Sequence, residues 1–374
     1  MSAKFTLHTP GHSAYTDTLI IYALAYAANG QLKRVSGRGL FYALEIEGLE
    51  LEELALRISG IFHRNVERLK AGFTRLLSEK DLKKAESVLK NIGLLTKYLG
   101  ELMEPGHAMS EGRAGRGGSF KLPLMPTAGK YYRVDLTEHE KYQARKYAAC
   151  SFCSALAMLG LALGSLSSCF VLREEEPQRK TKGKAKVVYL VSTIKFSGEV
   201  DGDLIINLSD YFINLSDAGR ELLEASKACL DKMPERLIGY LLLGGLDDRL
   251  ISAMAASNAS WSVLTTRFEV ERVVQVRGYY SVELDQAIAS LADLIKVDEK
   301  LKGYYRGKLN SLCERLLKAC SVEAFERLFD FMSTRNIEKI YEFARAAYSD
   351  LRREGASFSA SELIEALAWL CTGI

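Results

Sequence analysis

The sequence predicts an α+β fold, with a mixed N-terminal α/β half that contains a small antiparallel sheet and a mainly α-helical C-terminal half. Apolar and acidic residues alternate over 40–47, which is typical of a strand with one solvated face. Apolar residues over 51–78 instead recur every three or four positions, as on the buried face of an amphipathic helix. Helical periodicity dominates further along the chain. We therefore expect a mixed domain at 1–215 and a mainly helical domain at 216–374.

The composition is that of an ordinary globular protein. Of the 374 residues, 48% are hydrophobic and 26% are charged, and the formal net charge is +3. This small excess does not by itself indicate a nucleic-acid-binding protein, so a site for a polyanion requires local clustering of cations. Seven cysteines without a secretory signal peptide indicate reduced thiols, and we expect a cytoplasmic protein with no cofactor. The nucleotide-binding, hydrolase and metalloprotease motifs are missing, which argues against a self-contained enzyme.

The N-terminal segment predicts a turn followed by a buried helix. Residues 4–12 are an extended segment that runs into a Pro-Gly turn, and Thr16 or Asp17 is placed to cap a helix that starts at Thr18. This segment also holds a cluster of His8, His12 and Asp17. Such a cluster can bind a divalent metal or act as acid and base. Alternatively, the histidines order the turn and Asp17 caps the helix.

A row of arginines lies on the helix predicted over 51–78. Its members are Arg57, Arg64, Arg68 and Arg75. Their spacings of 7, 4 and 7 residues place them within roughly 20° of one line, over a span of roughly 27 Å. Small residues such as Gly60 and Gly72 flank the row, so a second backbone can approach. Guanidiniums in a row suit a phosphate backbone. The alternative is a solvated face, partly neutralised by neighbouring glutamates.

Three further segments concentrate cations. The loop that leads into the first predicted strand carries Lys33, Arg34 and Arg38. Residues 104–133 are too rich in glycine and proline for a regular element, and their cations are Arg113, Arg116, Lys121, Lys130 and Arg133. A hairpin predicted over 172–193 carries at its tip Arg179, Lys180, Lys182 and Lys184. The loop and the hairpin are suited to gripping nucleic acid. Their alternatives are a flexible linker and a solvated, mobile tip.

The uncharged run 148–172 has two interpretations. It is long enough to span a bilayer, but its serines and cysteines favour a buried helix that ends near Gly164 and continues as a strand. The run contains Cys150 and Cys153. A structural zinc site needs a second pair or two histidines at matching spacing, so we interpret these residues as thiols of the core.

The C-terminal half is predicted to be helical with one exception. Residues 263–280 are rich in β-branched and aromatic side chains, which indicates a strand pair or an irregular helix. Serines stand where helix N-caps belong, at Ser216, Ser281, Ser321 and Ser361.

The N-terminal run that contains Leu7-His8-Thr9-Pro10 and Thr16-Asp17, followed by a glycine-bearing strand and a long helix, resembles the large subunit of archaeal type I-A CRISPR interference (Cascade) complexes. The resemblance is sharp over roughly the first fifty residues. It implies a non-catalytic subunit of a guide-RNA surveillance complex in antiviral defence. Such a subunit contacts guide RNA and the motif that flanks the target DNA, beside helicase and nuclease subunits. The resemblance assigns no role to His8 or Asp17.

Three functional hypotheses follow. The first is a nucleic-acid-binding assembly subunit that uses the clustered cations for RNA and DNA contacts. The second is a metal-dependent nuclease or hydrolase that uses His8, His12 and Asp17. The third is a membrane protein anchored by residues 148–172.

Overall fold

The computed structural model describes most of the chain, and the statements below concern that part. The described residues are 4–38, 41–73, 76–107, 150–173, 185–215, 217–229, 232, 242–270, 274–299, 304–353 and 367.

The N-terminal half begins with strands and helices in alternation. Its elements are β1 (Lys4–His8), α1 (Ala14–Ala27), β2 (Leu32–Arg38), β3 (Phe41–Glu47), α2 (Leu51–Phe73), α3 (Glu79–Lys90), α4 (Ile92–Glu101), α5 (Ser151–Gly164), β4 (Leu166–Arg173), β5 (Ala185–Asp201) and α6 (Gly202–Asn214).

The rest of the described chain is mainly helical and contains one strand pair. Its elements are α7 (Asp217–Ser226), a short 3-10 helix (Lys227–Cys229), α8 (Asp248–Ala256), β6 (Asn258–Val270), β7 (Val274–Glu283), α9 (Asp285–Glu299), α10 (Tyr304–Lys318), α11 (Val322–Thr334) and α12 (Ile337–Arg353). The predicted α+β class is confirmed, and residues 263–270 and 274–280 lie in a strand pair.

The described strands form one antiparallel sheet in the order β1-β3-β2-β5-β6-β7. Strand β5 organises this sheet because it is 17 residues long and has partners on both edges. One edge pairs with β4 near its start and with β2 near its end, and the other edge pairs with β6 over residues 187–199. The sheet therefore contains strands from both sides of residue 216. The division into domains at that residue stays a prediction.

Helices α1 and α5 form the centre of the core. Both are buried along almost their whole length. They approach closely because α5 carries glycine at the contact: a Cβ atom on Gly160 would lie 1.9 Å from the backbone oxygen of Leu19, and one on Gly164 would overlap the ring of Tyr22. The hydroxyl of Tyr22 donates to the backbone oxygen of Ile194 at 2.9 Å, which attaches the helix pair to β5.

The predicted start of α1 is wrong by four residues. Ser13 is the N-cap, because its hydroxyl accepts the backbone N–H of Thr16 at 3.1 Å and helical geometry begins at Ala14. Asp17 lies inside the helix. Its carboxylate points back toward the preceding turn and accepts the backbone N–H groups of Gly11 at 2.6 Å and Ser13 at 3.0 Å.

The uncharged run after residue 148 contains a buried helix and a strand, as its composition favours. Helix α5 has 14 residues and ends at Gly164, where β4 follows within two residues. A bilayer requires about 20 apolar residues in one helix. Within the described ranges, no helix combines the length and the apolar character needed to cross a membrane.

The serine caps predicted in the C-terminal half are only partly correct. Ser321 directly precedes α11, but its hydroxyl donates to the carboxylate of Asp350 at 2.5 Å instead of capping the helix. Ser281 lies inside β7, and the next helix begins at Asp285. Ser216 and Ser361 lie outside the described residues.

Replacement of Gly160 by alanine tests the contact between α1 and α5. The added methyl group overlaps the backbone of Leu19. A backbone cannot relieve this overlap by a change of rotamer, so we expect a loss of at least about 2 kcal/mol in the free energy of unfolding. Urea denaturation measures this loss. The matched control is Gly93→Ala in α4, where nothing lies within 4 Å of the new methyl group. That variant should be neutral or stabilised by up to about 1 kcal/mol. Equal stabilities for the two variants would contradict the packing described here.

Candidate nucleic-acid interface

One half of the sheet has a solvated face. In β3 the side chains of Tyr42, Leu44 and Ile46 are buried, while the residues between them are partly exposed. Strand register places the corresponding residues of the neighbouring strands on the same side. We call this surface the outer sheet face. It comprises Lys4, Thr6, His8, Arg34, Ser36, Arg38, Phe41, Ala43, Glu45, Glu47, Lys195, Ser197, Glu199, Asp201, Asn258, Ser260, Ser262, Ser281 and Glu283.

At one end of the outer sheet face the charges compensate one another. Arg34 is the register partner of Glu45 on β3 and of Asp201 on β5. Its guanidinium also forms an exposed salt bridge with Glu199 at 3.2 Å. Because three carboxylates lie around one arginine, this end has no excess positive potential. Arg34 therefore contributes little to a surface for a polyanion.

At the other end the positive charges are not compensated. Arg38 is exposed at the end of β2 and is the register partner of Phe41. The adjacent residue across the sheet is Ser197, and Lys195 follows on the same face of β5. Within the described part of the chain, neither cation forms an ion pair or a side-chain hydrogen bond. We call these four residues the Arg38–Lys195 sector.

Lys195 is distinctive because it is half-buried. Burial lowers the pKa of its ammonium group below the ordinary value for lysine. Its register partner on β6 is Ser262, whose hydroxyl offers no charge, and the nearest carboxylate in that row is one strand further away, on Glu283 of β7. A bound phosphate would supply the missing counter-charge.

Phe41 supplies an aromatic surface beside the cations. Its ring packs against Gly11, whose φ of +84° only glycine adopts readily, and a Cβ atom there would lie 2.3 Å from the ring. This contact fixes the ring, which remains partly exposed on the outer sheet face. A fixed aromatic ring next to two cations can stack on a base while the cations bind its phosphates.

Two members of the arginine row on α2 have partners within the protein. Arg57 donates to the carboxylate of Glu53 at 2.7 Å and to the side chain of Gln31 at 2.7 Å. Arg68 is half-buried and donates to the backbone oxygens of Phe212 and Ile213, at 2.7 Å for Ile213. Both cations are therefore engaged within the fold. Nucleic-acid binding by these residues stays a prediction, but it now requires that existing contacts be broken.

The contact of Arg68 has a clear physical cause. The last carbonyl groups of an α-helix have no intrahelical donor, and they carry the negative end of the helix dipole. Phe212 and Ile213 supply such carbonyls at the end of α6. The backbone that approaches the arginine row is therefore the chain's own. Burial lowers the pKa of Arg68 below the ordinary value for arginine.

Arg64 is the exposed member of the row. It makes no hydrogen bond or ion pair with the described residues. The pKa of Tyr26 is raised by burial and by Asp210. The positive charges of Arg64 and Arg68 act in the opposite direction. Asp210 also lines a groove of about 480 Å³ between α6 and α8, together with Asp247 and Arg249. With two carboxylates and one guanidinium, this groove is unsuited to a polyanion.

The remaining predicted cations have different outcomes. Lys33 is exposed at the irregularity between β2 and β3. The hairpin predicted over 172–193 is confirmed as the β4–β5 pair. The following residues lie outside the described part of the chain: Arg75, Arg113, Arg116, Lys121, Lys130, Arg133, Arg179, Lys180, Lys182 and Lys184.

Sequence reasoning missed Lys195 and Phe41. The predicted strand ended at Thr193, whereas β5 continues to Asp201. The alternation of buried Ile194 and Phe196 with more polar neighbours was the available indication. The role of Phe41 depends on its register partner Arg38, which only the strand pairing shows.

The cluster of His8, His12 and Asp17 is divided by the fold. His8 lies partly exposed on the outer sheet face, while His12 and Asp17 are fully buried. The carboxylate of Asp17 accepts backbone N–H groups of the turn, from Gly11, His12 and Ser13. Burial raises its pKa to about 6, although these hydrogen bonds act in the opposite direction. Among the described residues, the three-residue cluster that can hold a metal ion is a different one, formed by His107, Cys150 and Cys153.

Comparison with known proteins identifies a family. The family model described as "CRISPR-associated protein (Cas_Csa4)" matches residues 5–372, which is nearly the whole chain. The search of curated proteins finds no match.

Arg68 and Arg64 form a matched pair on one helix. Replacement of Arg68 by alanine removes donors from the end of α6 and leaves half-buried carbonyls unsatisfied, so we expect a loss of about 1–3 kcal/mol in the free energy of unfolding. Arg64→Ala should change it by less than about 0.5 kcal/mol because the side chain is exposed. Denaturant unfolding of both variants measures the difference. A loss for Arg64→Ala as large as that for Arg68→Ala would contradict this assignment.

Asp17 gives a pH dependence with a defined sign. Its pKa rises from 3.8 to about 6 on folding, so the native state binds more protons between these values. The contribution of this group to stability is therefore present below about pH 4 and is lost as the pH rises through about 6. Relative to Asp17→Asn, which cannot titrate, the parent should lose about 3 kcal/mol over this range. Unfolding measured from pH 4 to 7 tests this, and a constant difference between the two proteins would refute it.

Proposed function

The chain belongs to the CRISPR-associated Cas_Csa4 family, and from this premise we propose that it is a non-catalytic large subunit of a CRISPR RNA-guided surveillance complex. In this role it contacts guide RNA and the flanking motif of target DNA. The family supports a role in CRISPR defence and partners within a CRISPR complex. The Arg38–Lys195 sector is the observation that supports direct contact with nucleic acid.

The sector is suited to a single strand. Base pairing in a guided complex supplies sequence specificity, so the protein needs backbone contacts and surfaces for bases that are not paired. Arg38 and Lys195 provide charges for neighbouring phosphates, and Phe41 provides a fixed ring between them and the edge of the sheet. The serine side chains on this face are short and project little from the sheet, so a single nucleic-acid strand can lie against it.

The partial burial of Lys195 makes it a better phosphate ligand than a fully exposed lysine. The half-buried ammonium has lost part of its hydration, as its lowered pKa reflects. A phosphate that approaches it displaces less water and interacts through a medium of lower dielectric constant than bulk solvent. Arg38 is exposed and adjusts to the position of a second phosphate.

The position of Asp17 supports the non-catalytic assignment. Its carboxylate is buried and accepts N–H groups of its own turn, so a metal ion or a nucleophilic water would have to displace these bonds. The competing hypothesis of a metal-dependent nuclease is tested by incubating the purified protein with labelled RNA and DNA and with Mg²⁺ or Mn²⁺. Cleavage that is abolished by His8→Ala would replace our proposal.

The proposed partners are the other subunits of a type I complex, including helicase and nuclease subunits. Purification of the tagged chain from a cell that expresses the whole CRISPR system should recover these subunits and guide RNA together. Recovery of the chain alone, with no RNA, would remove the large-subunit assignment without affecting the family membership.

The charge of the Arg38–Lys195 sector gives a quantitative test. In the assembled complex, Arg38→Ala combined with Lys195→Ala should weaken binding of single-stranded RNA or DNA. The slope of log K against log salt should decrease by roughly 1.4, because each phosphate contact on a single strand contributes roughly 0.7. Binding titrations at several salt concentrations measure this slope.

Arg34→Ala is the matched control. Arg34 lies on the same strand and the same face as Arg38, and its removal also deletes one positive charge, but its guanidinium is already paired with Glu199. Its effect on the salt slope should be close to zero. If this variant and the double variant both bind like the parent, the sector has no role in nucleic-acid binding.

A further inference from the structure

Three residues with metal-binding side chains meet where α4 and α5 approach each other. His107 follows the end of α4, Cys150 directly precedes α5, and Cys153 lies in its first turn. One ligand atom from each residue lies within 4.8 Å of the other two. Nε2 of His107 lies 3.8 Å from Sγ of Cys150. The chain thus brings a Cys-x-x-Cys pair and a distant histidine to one point.

The start of α5 prepares the two thiols for binding a cation. Cys150 is the N-cap residue, and its sulfur accepts the backbone N–H of Cys153 at 3.4 Å. This hydrogen bond fixes the position of the Cys150 sulfur at the start of the helix. The spacing of three residues along the first turn directs both sulfurs to the same side.

The imidazole of His107 lies between a carboxylate and the thiol of Cys150. Its side chain is only 8% exposed, and its Nδ1 atom lies 3.7 Å from the carboxylate of Glu101. The other nitrogen, Nε2, faces Cys150. A carboxylate on one nitrogen and a metal on the other is the usual arrangement for histidine ligands, because the carboxylate fixes the tautomer and raises the basicity of the ring.

Tyr98 contacts two of the three residues, His107 and Cys153. Its ring meets the ring of His107 edge-on, with centroids 5.1 Å apart, and its hydroxyl lies 3.0 Å from Sγ of Cys153. The opposite face of Tyr98 stacks on Phe152 at 5.0 Å. The ligands are therefore positioned by packed aromatic rings, and metal binding needs little rearrangement.

We propose that His107, Cys150 and Cys153 bind a zinc ion. Two thiolates and one imidazole are preferred ligands of zinc, whereas magnesium and calcium prefer oxygen. Tetrahedral zinc with bonds of about 2.3 Å to sulfur and 2.05 Å to nitrogen separates these ligand atoms by about 3.6 Å. The distance of 3.8 Å between His107 and Cys150 agrees with this value. Three protein ligands leave a fourth position on the metal.

The proposed role of the ion is to join two distant parts of the chain, with a water molecule at its fourth position. It links residue 107 to residue 150 and thereby fixes both ends of the segment between them, which contains the predicted nucleic-acid-binding residues from Arg113 to Arg133. A metal ion that binds the native state and not the unfolded state stabilises the native state by its binding free energy. The inference rests on the ligand geometry alone and does not depend on the proposed function.

The metal content of the full-length protein tests the proposal. Protein purified without chelator should contain one equivalent of zinc by elemental mass spectrometry, and Cys150→Ser should lose it. Removal of the zinc should lower the melting temperature, and its return should restore it. The control is Cys229→Ser, a buried thiol remote from the cluster whose donor contact to the backbone of Leu317 a hydroxyl can replace. That variant should retain the zinc of the parent.

Cobalt replacement gives a test that needs no variant. Parent protein stripped of zinc and titrated with Co²⁺ should develop a thiolate-to-cobalt charge-transfer band and the visible bands of tetrahedral cobalt. Stripped protein that binds neither Zn²⁺ nor Co²⁺ would overturn the proposal. So would zinc that persists unchanged in Cys150→Ser, or a disulfide between Cys150 and Cys153 in place of metal, because the pair would then serve redox chemistry.

Discussion

The continuous pairing of β5 is the constraint on which the rest of the structure depends. Its 17 residues hydrogen-bond to β6 along one edge and to β4 and then β2 along the other. On this second edge, residues 193–197 of β5 lie between the β4 pairs and the β2 pairs, and other groups can hydrogen-bond there. The hydroxyl of Tyr22 donates to Ile194 there, and the hydroxyl of Thr193 donates to the last residue of α5. The same strand thus joins the sheet to the helical core and carries Lys195 on its solvated face.

The surroundings of a cation decide what it does in this protein. Arg68 and Arg57 belong to one regular row on α2, but backbone oxygens and a carboxylate near them convert both into structural contacts. Arg34 and Arg38 lie on one face of one strand, four residues apart, and three carboxylates surround only the first. A net charge of +3 therefore does not describe the surface. A cation remains available to a polyanion where no carboxylate and no helix C-terminus lies beside it.

Local patterns predicted much of this fold. The amphipathic face of α2, the alternation in β3, the hairpin of β4 and β5 and the buried nature of α5 all follow from residues close in sequence, and each is confirmed. Helix capping was predicted less well. Several polar residues near Ser13 could accept the same N–H groups, and the carboxylate of Asp17 accepts N–H groups of the preceding turn instead of capping the helix. The length of β5 was underestimated because its second half contains charged residues and Gly198 between the apolar ones.

The sequence by itself determined the type of several elements, among them α2, β3 and α5, since periodicity and burial of one face act over a few residues. Only the tertiary structure decided that His107 lies beside them and that Phe41 and Arg38 form one surface with Lys195. These associations depend on strand register and helix packing between residues far apart in the chain. They arise because a long-range contact forms where two buried faces meet, and no local pattern specifies the partner.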